Sequence, residues 1–293
     1  MVNNLWKTDH HRIVSQRSIH QSSGGVYLLN ALGLGFLSVV VILPLLNIFY
    51  QAFAKGVAVY WNEIWTADAL HAIVLTLMIA FITIPINTLF GILIAWLLAR
   101  SPSPAKPLIL GIIDLPLTVS PVIVGLMFIL LFSQTDSIFK EWVLAFNLKI
   151  IFALPSMVLV TLFITLPFVG REVLPALESM GHEQEEAAKT LGANSYQIFW
   201  RVVLPNIRWA VLYGVIICTA RAVGEFGAVA VVSGKIIHQT NTLTLHIERM
   251  YMEYQTVSAF ACASLLTMIA LITLICQEIL QHLGDSASSK IQK

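Results

Sequence analysis

Charge is what this sequence has least of. Only 11% of its 293 residues are Asp, Glu, Lys or Arg, against roughly a quarter in an average soluble domain. With 57% hydrophobic residues and a mean hydropathy of +0.81, too little polar surface exists to enclose the apolar residues in water. A soluble enzyme, a disordered chain and a secreted disulfide scaffold are thereby excluded. Cysteine is equally sparse: Cys218, Cys262 and Cys276 lie in apolar surroundings without CxxC spacing and read as small buried hydrophobes. The 17 basic and 16 acidic residues almost cancel, so no global field favours nucleic acid. A phosphate-binding loop is missing too. Its nearest approach, Ser233 to Lys235, has Val229 where the first glycine is needed and Ile236 where a hydroxyl should hold magnesium. No dinucleotide fold, zinc motif or hydrolase elbow appears, so no catalytic residue, bound cofactor or metal is expected.

What the chain has is length of apolar sequence. A spanning helix needs about 20 mostly apolar residues. Six stretches meet this, at about 26–53, 69–98, 107–132, 150–170, 207–233 and 255–277. The expected fold is therefore all-α, a polytopic bundle of about six transmembrane helices. Pro44 and Pro85 predict kinks in the first two. Pro116 and Pro121 predict a broken third helix, of the kind that lines cavities in transporters. The first apolar run is too long for a signal peptide and reads as a retained helix. No internal repeat is visible. The expected organisation is a polar tail over 1–25, one membrane domain over 26–280 with a polar loop at 171–206, and a frayed tail over 281–293.

Lys and Arg concentrate in cytoplasmic loops. Placing the N-terminus inside puts eleven cations on the cytoplasmic side, at positions 7, 12, 17, 100, 106, 171, 189, 201, 208, 290 and 293. Five, at 55, 140, 149, 235 and 249, fall outside. Both termini and the 171–206 loop are expected in the cytoplasm, with outer loops near 54–68, 133–149 and 234–254.

That loop reads HEQEEAAKTLGANSYQIFWRVVLPNIRW. Glu183, Glu185 and Glu186 crowd one end of a short predicted helix, Lys189 lies near the other, and Gly192 follows where a left-handed cap belongs. Ala187 and Ala188 leave room for another surface to approach. Tyr196, Phe199 and Trp200 then lead to Leu204-Pro205, where proline suits a first helical turn. Taken alone, the helix fits equally a plain hairpin resting on the membrane. The spacing Glu186-Ala187-Ala188, three residues, Gly192, nine residues, Val202, one residue, Leu204-Pro205 resembles the EAA signature of ABC importer permeases, with valine replacing the usual isoleucine. The resemblance implies a type I importer bundle whose short helix docks into a separate cytoplasmic ATPase, which carries the ATP and Mg.

Charges inside apolar segments are costly, about 2.5 to 3.5 kcal/mol each at the bilayer centre on insertion scales. Arg221 and Glu225, four apart on the expected fifth helix, are able to pair, with Gly224 and Gly227 beside them. Two readings stay open: a structural pair that fixes packing, or a gate in which Arg221 attracts an anion and Glu225 restrains it. Asp114 reads as a structural or interfacial carboxylate, or as part of a moving, cavity-lining element. His71 reads as interfacial rather than as a proton relay, and the other histidines form no ligand cluster.

The segments at 167–178 (PFVGREVLPALE), 204–215 (LPNIRWAVLYGV) and 220–234 (ARAVGEFGAVAVVSG) resemble the sulfate and thiosulfate permeases of CysW type, over about residues 35–280. This implies a CysT-type second permease, a CysA-type ATPase dimer and an extracytoplasmic sulfate-binding protein, in a bacterial plasma membrane. A molybdate or tungstate permease shares the GEFGA block. An ion-coupled secondary transporter using Glu225 and Asp114 leaves the EAA spacing unexplained, and an intramembrane enzyme lacks a nucleophile and base.

Overall fold

The computed structural model describes residues 23–101, 104–133 and 149–291, which are helical without a strand. The predicted N-terminal tail up to residue 22, with its three cations, lies outside the described residues, as do most of the 133–149 loop and Lys293. Contacts divide the chain into two compact units, Met1–Asn47 and Ile48–Lys293.

In the first unit, α1 (Ser23–Leu37) passes through a π-helical turn at Ser38–Ile42 into the start of α2 (Leu43–Phe53), which belongs to this unit up to Asn47. The turn ends one residue before Leu43-Pro44. A widened turn accommodates the proline ring, which has no N–H to donate and collides with the carbonyl four residues back. The kink expected at Pro44 takes this form. Tyr27, Leu29 and Phe36 stand exposed, as on a helix that meets lipid.

The second unit is built on α4 (Ala67–Arg100) and α7 (Leu154–Met180), its most extensively packed pair. Small and polar side chains are mixed with Leu75, Ile79, Ile92 and Leu98 on the inner face of α4. Ala69, Ala72, Ala80, Gly91 and Ala95 face inward on α4, while Phe81, Leu89 and Leu97 point outward. Lipid tails are as apolar as leucine, so close backbone approach and interhelical hydrogen bonds hold the pair together. A Cβ on Gly91 would lie 2.9 Å from the Val169 Cβ. Asn87 Nδ2 donates to Thr165 Oγ1 at 2.7 Å and to the Leu162 carbonyl at 3.1 Å. At its ends α4 is capped by Thr66 and carries Asp68 in its first turn and Arg100 in its last, matching the helix dipole.

Between them, α5 (Lys106–Thr118) and α6 (Pro121–Phe132) meet at 103°, the break expected from Pro116 and Pro121. Pro121 forces Ser120 out of helical geometry and then starts α6 itself. Among the described residues, five helices are long and apolar enough to span a membrane, six if this bent pair is one span.

Four expected boundaries move. α7 runs ten residues past Gly170, because Arg171 is paired with Asp114 and need not end the helix. The polar connection accordingly shrinks from 171–206 to the stretch between Met180 and Ser195. It holds α8 (Glu183–Thr190) and leads into α9 (Ser195–Ile198), a second π turn (Phe199–Val203) and α10 (Leu204–Val223). The fifth span therefore covers Ser195–Val223 rather than 207–233. It starts early because its aromatic first turns are helical, and it stops at Gly224, so Glu225 lies beyond its end. Pro205 stands two residues after its π turn, in the register of Pro44. Two of the predicted outer loops contain α3 (Val57–Ile64) and α12 (Leu243–Met252), and the end of the expected fifth span forms a separate short helix, α11 (Gly227–Val232). Finally, α13 (Thr256–Ile291) is helical through most of the predicted frayed tail. Cys218 and Cys262 are buried as expected, whereas Cys276 is exposed on α13.

Candidate functional site

The short helix predicted from the EAA spacing is α8, and both of its ends follow from its sequence. Three glutamates occupy the first turn, where free N–H groups attract negative charge. At the other end Gly192 adopts φ +82°, its N–H bonds the Lys189 carbonyl, and the Ala193 N–H bonds the Ala188 carbonyl. This paired bonding is a Schellman cap, and it needs a residue at ease with positive φ. Asn194 and Gln197 then exchange side-chain bonds with each other's backbone N–H, at 2.8 and 3.1 Å, to open α9.

The two EAA alanines have different surroundings. Ala187 is exposed beside Glu186, whereas Ala188 packs against the cluster of Val173, Leu177, Ile198 and Val203. Leu191, 88% exposed, stands next to Gly192 at the tip. Val202 and Leu204 are half-buried, Pro205 is exposed, and Val203, which sequence reasoning did not single out, is fully buried.

Two further anchors went unrecognised. Glu185 is 6% exposed and accepts from Arg100 Nε at 3.0 Å and Nη2 at 2.5 Å. Asn206 Nδ2 donates to Gln184 Oε1 at 2.7 Å. The doubled glutamate was a visible signal, but nothing in the spacing tells which of the two turns inward. The helix thus presents Glu186, Ala187 and Leu191 outward while its inner face grips α4 and α10. Nearby, Lys106 pairs with Glu178, and Arg171 Nε and Nη2 lie 2.8 and 2.9 Å from the two Asp114 oxygens. Asp114 is therefore a tie between α5 and α7.

The Arg221–Glu225 pair forms, with Nη1 and Oε2 at 2.6 Å, but Glu225 is not on the same helix. It sits past the α10 end at Gly224, 3% exposed, and its other oxygen accepts the Ala228 N–H at 3.0 Å in the first turn of α11. One carboxylate thus closes α10 and opens α11. Gly227 permits α11 to touch α6: a Cβ there would lie 2.9 Å from the Pro121 Cβ. The two helix breaks, at Ser120 and at Gly224 to Phe226, are in this way brought together.

At the opposite end of α4 from Arg100 lies a polar group that the sequence did not reveal, because its members are spread from Glu63 to Ser258. Asp68 meets Arg249 Nη2 at 2.6 Å and His238 Nε2 at 3.0 Å. His71 and His238 rings lie 5.7 Å apart, which places His71 at the edge of this group. Glu63, Asp68, His246, Arg249 and Glu253 border a cavity of about 280 Å³. Burial first, and then the neighbouring Arg249 charge, push the His246 pKa below its ordinary value and keep its ring neutral. No cluster of three or more His, Cys, Asp or Glu suited to a metal occurs among the described residues.

Residues 87–283 match the family described as the binding-protein-dependent transport system inner membrane component. The chain belongs to this family. It is 49% identical, over 87% of its length and 92% of the relative's, to the sulfate transport system permease protein CysW of Synechocystis sp. (strain ATCC 27184 / PCC 6803 / Kazusa). Identity to the sulfate transport system permease protein CysT of Escherichia coli (strain K12) is 35%, over 82% and 86% of the two chains. Among solved structures, a bacterial ABC transporter involved in the import of the acidic polysaccharide alginate superposes with a TM-score of 0.71 at 16% identity, covering 89% of this chain and 95% of that one. At that identity the likeness establishes the fold alone. This family member is a multi-pass membrane permease subunit and not itself a catalyst.

Proposed function

We propose that this chain forms half of the translocation path of an ATP-driven importer of sulfate-class anions, and that α8 is where a separate ATPase drives it. The observation that carries the reading is the geometry of α8, a small-residue helix that is exposed at Glu186, Ala187 and Leu191 while its buried face holds three spans. A surface of this kind suits a partner that pushes. Sulfate is favoured by the 49% identity to a sulfate permease, and the lower identity to a CysT protein favours pairing with a CysT-type second permease. An extracytoplasmic sulfate-binding protein would select the anion, and a CysA-type ATPase dimer would bind ATP and Mg. The cation distribution favours α8 and both termini on the cytoplasmic side of a bacterial plasma membrane.

In this reading, ATP-driven closure of the ATPase dimer draws the α8 helices together and opens the cavity outward; hydrolysis resets it. Arg221 contributes positive charge beside the junction of the two broken helices. Glu225 neutralises part of that charge, which keeps the anion from being trapped.

The test is uptake of labelled sulfate and labelled molybdate into vesicles bearing both permeases, the ATPase and the binding protein. ATP-dependent sulfate uptake that vanishes in Gly192→Asp, with normal insertion, is expected. Uptake independent of ATP rejects the coupling role, and preference for molybdate rejects the substrate.

A further inference from the structure

Glu185 is out of place by ordinary criteria. A carboxylate in the first turn of an eight-residue surface helix is well served by water, yet this one is turned inward and buried. Its chain connections do not force it there. α8 hangs between Gly181 at φ +70° and Gly192 at φ +82°, and around each of them an added Cβ would meet nothing within 4 Å. What orients α8 is therefore its side-chain attachment. Beside the packing of Ala188 and the Asn206–Gln184 bond, that attachment includes one guanidinium: Arg100, the last residue of α4, places Nε and Nη2 on Glu185 Oε1 and donates Nη1 to the Leu177 carbonyl of α7 at 3.3 Å. The side chains of Arg100 and Glu185 are only 16% and 8% exposed, so water and salt screen the pair weakly.

We propose that Arg100 and Glu185 are a positioning pair that passes displacement of α8 into α4, beyond holding α8 in its seat. The inference rests on the proposed function, since it deepens the role given there to α8. Three features support transmission. The forked guanidinium fixes direction as well as distance, which a single ammonium point charge does not. Its third bond, to α7, gives Arg100 a fulcrum, so motion of Glu185 is resolved into motion of α4 relative to α7. The second polar link, Asn206 to Gln184, is exposed and reaches α10, which is already joined to α8 through the short turn at Gly192 to Asn194. α4 has no such covalent route, and the Arg100 to Glu185 ion pair is the charged contact that joins it to α8.

The test uses the complete complex of both permeases, ATPase and binding protein in sealed vesicles. Two quantities are read: labelled sulfate accumulated per ATP hydrolysed, and the yield of cross-linking to the ATPase from Ala187→Cys. Glu185→Gln and Arg100→Lys are each expected to lower uptake per ATP by about tenfold, within the range for a residue in a coupling network. Cross-linking is expected at the parental yield, because α8 still meets the ATPase. Arg100→Lys retains the charge and stem, so it reports on geometry where Glu185→Gln fails to assemble. An unchanged ratio of uptake to ATP in both variants overturns the proposal. So does a fall in cross-linking that matches the fall in uptake, which would make the pair a seat and nothing more. Absence of ATP-driven uptake in the unsubstituted complex instead overturns the proposed function, and is distinguished by needing no variant.

Discussion

Glu185 and Glu186 are neighbouring carboxylates in opposite environments, one bound to Arg100 and one open to solvent. Residue identity alone did not separate them; the three-dimensional position of Arg100 did. The same holds for the polar group around Asp68, whose members are too far apart in sequence to form a motif. His246 offers a direct check there. Its folded pKa lies below the ordinary histidine value of about 6.5, so folding favours the neutral ring. The contribution to stability is complete above about pH 6.5 and is lost as pH falls through the lowered folded value. Thermal unfolding of the purified complex should therefore show a midpoint that drops on acidification below pH 6.5, with a smaller drop in His246→Asn. At Gly91 the check is steric. Gly91→Ala drives a methyl group against Val169 and the Gly170 backbone, and should destabilise the protein by about 1–3 kcal/mol in the same measurement.

At the level of elements, apolar length and proline position were informative because lipid imposes them directly. The first apolar helix, the break at Pro116 to Pro121 and the Gly192 cap were all legible. Helix ends were less so. α7 extends past Arg171 because Asp114 neutralises it, and α10 stops before Glu225 because that carboxylate is taken up by Arg221 and by the start of α11. Arg171, a charge that looks like a boundary, is absorbed by a partner on another helix, and Glu225, expected within a span, sits instead at a break; a linear reading sees neither. The Asn194–Gln197 capping box has the three-residue spacing that marks such a cap in sequence. Asn194→Ala removes one half of it and should cost about 1 kcal/mol. Faster amide exchange in the first turn of α9, with the rest of α10 unchanged, is the expected signature.

At the scale of the whole molecule, the surface offered to a partner should be separable from the fold that holds it. Leu191 is 88% exposed, so Leu191→Glu removes almost no internal packing. The unfolding midpoint of the isolated permease should stay within the range of ordinary surface changes, about 0.5 kcal/mol. Co-purification of the ATPase should fall sharply. Loss of both together would place Leu191 in the fold rather than at the interface.

α4 has one more property of consequence. Its 34 residues extend about 50 Å, well beyond the roughly 30 Å of hydrocarbon, and the helix is continuous through Pro85. Arg100 clasps Glu185 at one extremity, and Asp68 is clasped by Arg249 and His238 at the other. A beam fastened at both tips cannot pivot at one without loading the other. On the proposed reading, an event on one side of the bilayer would be felt on the other through α4 before any solute crosses.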